Sequence, residues 1–328
     1  MEKEQKTGRD RFAINFRSVI DKMGVWLVFI LLFVVLAITC EGFLSGTNIR
    51  NVVRQITVNA IVALGVTFVV SCGLIDLSTG AVATFAGVGC CMLIVNMGMN
   101  TTYLAILLGL AAGALLGMVN GVIITKLRVE AFITTLGMQY ILSGLVLVLT
   151  QSNPVIGLPD NFGYFGRGYV FEVIPVPVVI LALVFIVCSV LFKHTAFGRN
   201  VLAVGENQKA AMLSGVNVVR IQITVCALSG FLAALAGIVL ASRMSSGQPT
   251  SGSDIPLQAM AAVFVGGTTI SSSGGRGVSG TIAGALIVGM VNNGLNLLKV
   301  NSYWQNVALG VIIIGAVVLD RMRTKMRR

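Results

Sequence analysis

The chain has 328 residues, of which 56% are apolar and 11% charged, and its mean hydropathy is +0.92; a soluble domain carries roughly 25% charged residues. That balance excludes a soluble globular enzyme and indicates an integral membrane protein made mostly of spanning segments. The net charge of +11 would suggest a nucleic-acid partner in a soluble protein, but here the basic residues sit between apolar runs, where they report topology instead.

Residues 1–23 are polar and charged, too long a lead before the first apolar run for a cleaved signal. They are expected to form a cytoplasmic segment ahead of a retained first span. A helix needs about 20 apolar residues to cross the hydrocarbon layer. Ten apolar runs follow: 24–38, 56–71, 77–97, 103–125, 132–149, 176–192, 221–241, 257–270, 278–298 and 304–319. The expected fold is therefore all-α and polytopic. A single transmembrane domain spans 24–320, with about ten transmembrane helices, and a basic cytoplasmic tail occupies 321–328. Between the fifth and sixth runs, residues 150–175 are polar and rich in Gly and Pro, and are expected to be an exposed loop.

Placing the N-terminus in the cytoplasm and letting ten spans alternate tests this count. All but five of the 23 lysines and arginines then fall inside. The five outside are Arg50, Arg54, Arg167, Arg243 and Lys299. This asymmetry puts both termini in the cytoplasm, along with the segment 193–220.

That segment is too polar for lipid and too patterned for a slack loop. It holds Lys193, Arg199, Lys209, Arg220 and His194, the chain's one histidine. At its centre, residues 207–215 read as a short capped helix. Asn207 is placed to accept from the first free N–H groups, and Gly215 to take the left-handed turn that ends it. Ala210 and Ala211 are expected to give the helix a small-residue face on which a second protein could dock.

Several polar groups fall at membrane depth, where an ionisable side chain is a functional candidate by default. Asp76 and Ser78 lie in a Gly-flanked break between the second and third runs, as either a cap at a buried turn or a contact for solute. Asn292, Asn293 and Asn296 share much of one helix face in the ninth run. Their amides suit sugar hydroxyls but suit helix-to-helix hydrogen bonds somewhat better, and Asn59, Asn120 and Gln139 carry the same two readings. Gly109, Gly113, Gly117 and Gly121 repeat every four residues, as do Ser229, Ala233, Gly237 and Ala241. Both series are expected to be packing faces. A Gly/Ser/Thr-rich stretch from Gly266 to Gly275 is a possible counterpart of the Asp76 break.

Enzyme readings find little support. Gly277, Val278, Ser279 and Gly280 match the G-x-S-G of rhomboid-type proteases, but His194 lies in a basic loop and not on a neighbouring span. Asp76 stands without the second aspartate an intramembrane aspartyl protease needs. The dipeptide Gly-Lys is absent, so no P-loop can cradle ATP phosphates. The six cysteines form no C-x-x-C pair and read as small buried apolar residues, not as metal ligands or disulfides.

From about Phe43 to Asp320 the chain resembles the permease subunits of bacterial ABC importers for ribose and related monosaccharides. The likeness rests on ordered stretches: Ile75 to Ser78 with Gly80; Phe132 to Gly137; Thr195 to Arg199, then Ala203 to Gly205. Asn207, Ala210, Ala211, Ser214 and Gly215 follow, then Ser229, Gly230, Leu235 to Gly237, Ala261, Ala262, Gly266 to Thr268, and Asn292 to Leu298. The chain departs from the pattern at Lys209, where many importers have glutamate, at Leu74, and in the serine-rich stretch 270–275.

The resemblance implies a multi-pass protein of the bacterial inner membrane, working as a permease dimer by alternating access. A separate cytoplasmic ABC ATPase, which uses the ATP, docks on Asn207, Lys209, Ala210, Ala211, Ser214 and Gly215. An extracytoplasmic sugar-binding protein delivers the sugar, and Arg50, Arg54, Arg167 and Arg243 are candidate partners for its acidic groups. Asp76, Ser78, Asn292, Asn293 and Asn296 are candidates for the substrate path. The chain itself is expected to need no cofactor or metal and to catalyse no reaction. The competing reading is an ion-coupled transporter or channel using Asp76.

Overall fold

The computed structural model describes residues 25–96, 102–268 and 277–326. Among them the regular elements are helices apart from one short hairpin. In order the elements are α1 (Val25–Thr39), α2 (Gly46–Ser71), α3 (Thr79–Val95), α4 (Thr102–Lys126), α5 (Ala131–Thr150) and α6 (Asp160–Arg167). Then come β1 (Tyr169–Val170), β2 (Ile174–Pro175), α7 (Val176–His194), α8 (Ala196–Glu206), α9 (Gln208–Leu213) and α10 (Val218–Met244). The chain closes with α11 (Ile255–Val265), α12 (Gly277–Leu297) and α13 (Ser302–Met326). The two strands pair antiparallel.

Among the described residues, each apolar run coincides with a helix over most of its length. Six helices among the described residues are long and apolar enough to cross a membrane: α2, α4, α5, α7, α10 and α12. The other four runs lie on shorter apolar helical segments. With 11 residues, α11 rises only about 17 Å at 1.5 Å per residue, well under a hydrocarbon core of about 30 Å.

The burial of these helices sorts them into layers. Most of α2, α10 and α12 is enclosed by the rest of the chain, whereas α4, α5 and α7 leave most of their apolar surface open. Leu107, Leu115, Tyr140, Val148 and Leu183 all point outward. Surfaces this apolar suit lipid and not water.

Small residues let the inner helices approach to backbone distance. The glycine series of α4 lies on α10: a Cβ at Gly113 would stand 2.6 Å from the Gly230 carbonyl oxygen, and one at Gly117 2.2 Å from that of Cys226. Gly237, from the second series, lies on α3, where a Cβ would come 1.9 Å from the Ala83 oxygen. Both expected packing faces are present, and α10 uses them against different neighbours.

Two interruptions meet inside the bundle. α2 ends in a left-handed turn at Gly73 (φ +81°), closed by bonds from Gly73 N–H to the Val70 carbonyl and from Leu74 N–H to that of Val69. An irregular segment then leads to α3. α10 ends at Ser245, also left-handed, and the chain turns back along α3, with Gly247 against Cys91 and Gly252 against Gly80. So α3 and α11 begin side by side, Gly80 lying against Gly252 and Pro256. The segment that meets the start of α3 is thus 245–254. Of the stretch compared with the Asp76 break, Gly266 to Thr268 are described, and residues 269–276 lie outside the described residues, as do residues 1–24.

The expected loop 150–175 contains helix α6 and the β hairpin. Its buried Phe162 packs with Cys91, Ala105 and Ile238, and this apolar anchor makes the segment fold back on the bundle. Ser242 Oγ ties it down, donating to the Phe162 carbonyl at 2.5 Å and accepting from Gly166 N–H at 2.7 Å.

Candidate functional site

The polar segment after α7 packs on the end of α2. Phe197 of α8 stacks on Phe68 of α2, with ring centroids 6.0 Å apart, and Phe192 meets the same ring edge-on at 5.4 Å. Gly205 lies directly on the last residue of α2: a Cβ there would be 1.9 Å from the Ser71 oxygen.

Helix α9 stands out from this platform. Asn207 Oδ1 accepts from Ala210 N–H at 3.0 Å. Gly215, at φ +85°, closes the other end, and Val216 N–H reaches back to the Ala211 carbonyl at 3.0 Å. Ser214 Oγ donates to the Ala210 carbonyl. Asn207, Lys209, Ala210, Ser214 and Gly215 are exposed, but Ala211 is buried in the main core. The two alanines therefore do not share an outward face. What α9 presents is Ala210 with Met212 and Leu213, the last 87% exposed. Sequence reasoning passed over this apolar pair; its signal was two large apolar residues at the end of a capped polar helix.

Asp76 and Ser78 form a closed polar node. Asp76 Oδ1 accepts from the Ser78 hydroxyl at 2.6 Å and from its N–H at 2.9 Å, and Oδ2 accepts from Ser229 Oγ at 3.0 Å. Asn120 Nδ2 donates to Ser78 Oγ at 2.9 Å, and Thr135 Oγ1 donates to the Ile75 carbonyl at 3.3 Å. The node thus ties the break after α2 to α4, α5 and α10. All five of its side chains, Asp76, Ser78, Asn120, Thr135 and Ser229, are buried. Replacing Asp76 by Leu strands several buried donors, each costing about 1–3 kcal/mol, so Asp76→Leu should lose folded protein. Asp76→Asn keeps an acceptor for Ser78 and should yield a folded chain, with thermal unfolding in detergent as the measurement.

The three asparagines of α12 part company. Asn293 and Asn48 exchange amide bonds at 2.8 and 3.1 Å, fastening α12 to α2. Asn296 Oδ1 accepts from Gln305 Nε2 at 2.8 Å, joining α12 to α13. Asn292 has no side-chain hydrogen-bond partner among the described residues and lines a cavity of about 370 Å³. Gln55, Asp254, Gln258, Tyr303 and Asn306 line it too, so α2, α11, α12 and α13 all contribute. Asn59, next to this wall, bonds to Gln258. Gln55 and Asn59 on α2, and Asn292 and Asn296 on α12, are each four apart, as are Gln258 of α11 and Asp254 just before it. Such polar pairs in apolar helices were the available signal, read only for α12.

At the α6 end, three of the four singled-out arginines converge. Arg54 donates to the Arg167 carbonyl at 2.8 Å and lies over the Tyr169 ring, 4.8 Å from its centroid. Gly166 lies on the Arg243 backbone. Arg50 is one turn from Arg54 on α2. Arg50 and Arg167 are exposed, and Arg54 and Arg243 are half-buried.

With this geometry in place, comparison with known proteins locates the chain. Residues 48–317 match the family described as branched-chain amino acid transport system, permease component. The chain is 44% identical to the ribose import permease protein RbsC of Bacillus subtilis (strain 168) over 324 residues, covering 98% of this chain and 99% of that one. To RbsC of Haemophilus influenzae it is 43% identical, covering 94% of each chain. To the L-arabinose transport system permease protein AraH of Escherichia coli (strain K12) it is 36% identical, covering 98% of this chain and 97% of that one. No solved structure matches.

Proposed function

The chain belongs to the permease-component family of the branched-chain amino acid transport system type, and from that membership we propose that it is the membrane-spanning permease subunit of an ATP-driven importer for ribose or a related monosaccharide. The observation that carries this reading is likeness along almost the whole chain to proteins named as ribose import permeases. Two copies enclose the sugar path in the bacterial inner membrane, with both termini in the cytoplasm. Alternating access moves the sugar, and a separate ATPase supplies the energy.

The geometry supplies a physical route for that energy. The ATPase seats on α9. Its displacement passes through α8 to the end of α2, where Gly205 meets Ser71 and the Phe68 cluster locks the two helices together. α2 is a continuous rod of 26 residues, about 39 Å long. Movement at its cytoplasmic end is therefore felt at Gln55 and Asn59. The Asp76 node holds the end of this rod to α4 and α10.

Uptake of radiolabelled ribose into proteoliposomes carrying this chain, its ATPase and a sugar-binding protein tests the reading. Uptake should require ATP inside and the loaded binding protein outside; uptake driven by a proton or sodium gradient without the ATPase overturns it. In the same assay Asp76→Asn should retain most transport. Abolished uptake in a folded Asp76→Asn chain would instead favour an ion site at Asp76.

The arginine cluster faces the extracytoplasmic side in this arrangement and meets acidic groups of the binding protein. Arg50 and Arg167 are the exposed members, so reversing both to Glu leaves the packing of Arg54 intact. The half-saturating concentration of loaded binding protein should rise about tenfold or more, with ATPase attachment unchanged. An unchanged half-saturation point removes the arginines from the docking surface.

A further inference from the structure

We infer that the cavity bounded by Gln55, Asp254, Gln258, Asn292 and Asn306 is a binding station inside the permease for a neutral polyhydroxylated ligand. This deepens the importer reading and rests on it. The cavity volume of about 370 Å³ lies at the small end of the roughly 300–1,000 Å³ typical of ligand sites.

The chemistry of its wall is selective. Gln55, Asp254, Asn292 and Asn306 have no side-chain partner among the described residues, although each lines the cavity. Asp254 stands at the N-terminus of α11, where a carboxylate commonly caps, yet its side chain makes no capping bond. The neighbouring Asn293 and Asn296 are both engaged in ties between helices, so the open amide of Asn292 is particular to its position. Amides donate and accept, and a carboxylate accepts from two hydroxyls at once. Together these groups suit a ring of vicinal hydroxyls.

The same wall disfavours other cargo. It contains no lysine or arginine to meet a carboxylate or phosphate, and Leu309 is its one aliphatic member. A branched-chain amino acid would need a cation for its carboxylate and an apolar recess for its side chain, and finds neither. The cavity lies toward the α6 end, since Gln55 adjoins Arg54, which reaches Arg167 there. A ligand released by a protein docked on that end would meet it early in the passage. Two of its walls are α2, whose end carries Gly205 of α8, and α11, which starts where the segment 245–254 ends.

The test counts sugar molecules moved per ATP hydrolysed by the reconstituted assembly of permease, ATPase and binding protein, with ribose as the probe. Asn292→Leu and Asp254→Leu should lower that ratio about tenfold, the effect of losing one or two well-placed hydrogen bonds in transit. Hydrolysis stimulated by the loaded binding protein should persist. Asp254→Asn, which restores an acceptor, should recover part of the loss.

An unchanged ratio overturns the station, as does a parallel fall in uptake and hydrolysis, which marks a merely structural role. Asp254 is exposed, so Asp254→Leu gives an answer even where Asn292→Leu does not fold. Failure of the unaltered chain to move ribose with ATP, or its movement of leucine instead, overturns the importer reading itself. Normal ribose uptake with unaffected variants sinks the station alone.

Discussion

Leu213→Asp should abolish ATP-driven uptake while leaving the permease folded. Leu213 is 87% exposed at the end of α9. A carboxylate there costs the bundle almost nothing, but in an apolar seat on a partner it would be buried without a counter-charge. Loss of an anchor of this kind costs about 2 kcal/mol or more, a fall of about 30-fold in affinity for the ATPase. Co-purification of the ATPase and uptake should fail together, with the unfolding temperature of the permease unchanged. Normal uptake would show that α9 is not the seat. Ala211 gives a contrasting case: it is buried, so a bulky residue there overpacks the core and should lower stability before it affects coupling.

Gly237→Leu should prevent the bundle from assembling. The backbones of α10 and α3 touch at this point, and even a Cβ would stand 1.9 Å from the Ala83 oxygen and 2.4 Å from its carbonyl carbon. No rotamer relieves a clash with backbone, so the helices must separate along their length. The cost exceeds that of ordinary overpacking, about 3 kcal/mol or more. The yield of monodisperse protein after detergent extraction should collapse. Gly144→Leu provides the control: open space surrounds Gly144, and extraction should be normal. Equal yields for the two variants would contradict the close packing of α3 on α10.

How far the sequence alone led depends on the kind of signal. Apolar runs located the helices because hydrophobicity is local. Four-residue spacing located the glycine faces because a helix repeats at nearly that period. The caps of α9 were also local, Asn207 and Gly215 lying at its two ends. By contrast, the orientation of α9 was set by tertiary packing, which turned Ala211 inward and left Met212 and Leu213 outside. The parting of Asn292 from Asn293 and Asn296 depended on Asn48 and Gln305, partners distant in the chain or across a turn. The cavity draws on four helices, and no single stretch of sequence contains it. α6 was hidden because its Gly- and Pro-rich setting reads as loop, while the contacts of Phe162 and Ser242 that hold it are long-range.

The seating of the ATPase on α9 is tested most directly by photo-crosslinking from position 213 in native membranes during ATP-driven uptake. A photoreactive side chain at Leu213 should give one dominant adduct with the nucleotide-hydrolysing subunit, and its formation should block ribose transport. Adducts only with lipid or with an extracytoplasmic protein, while ribose uptake continues, would contradict a seat for the motor on α9.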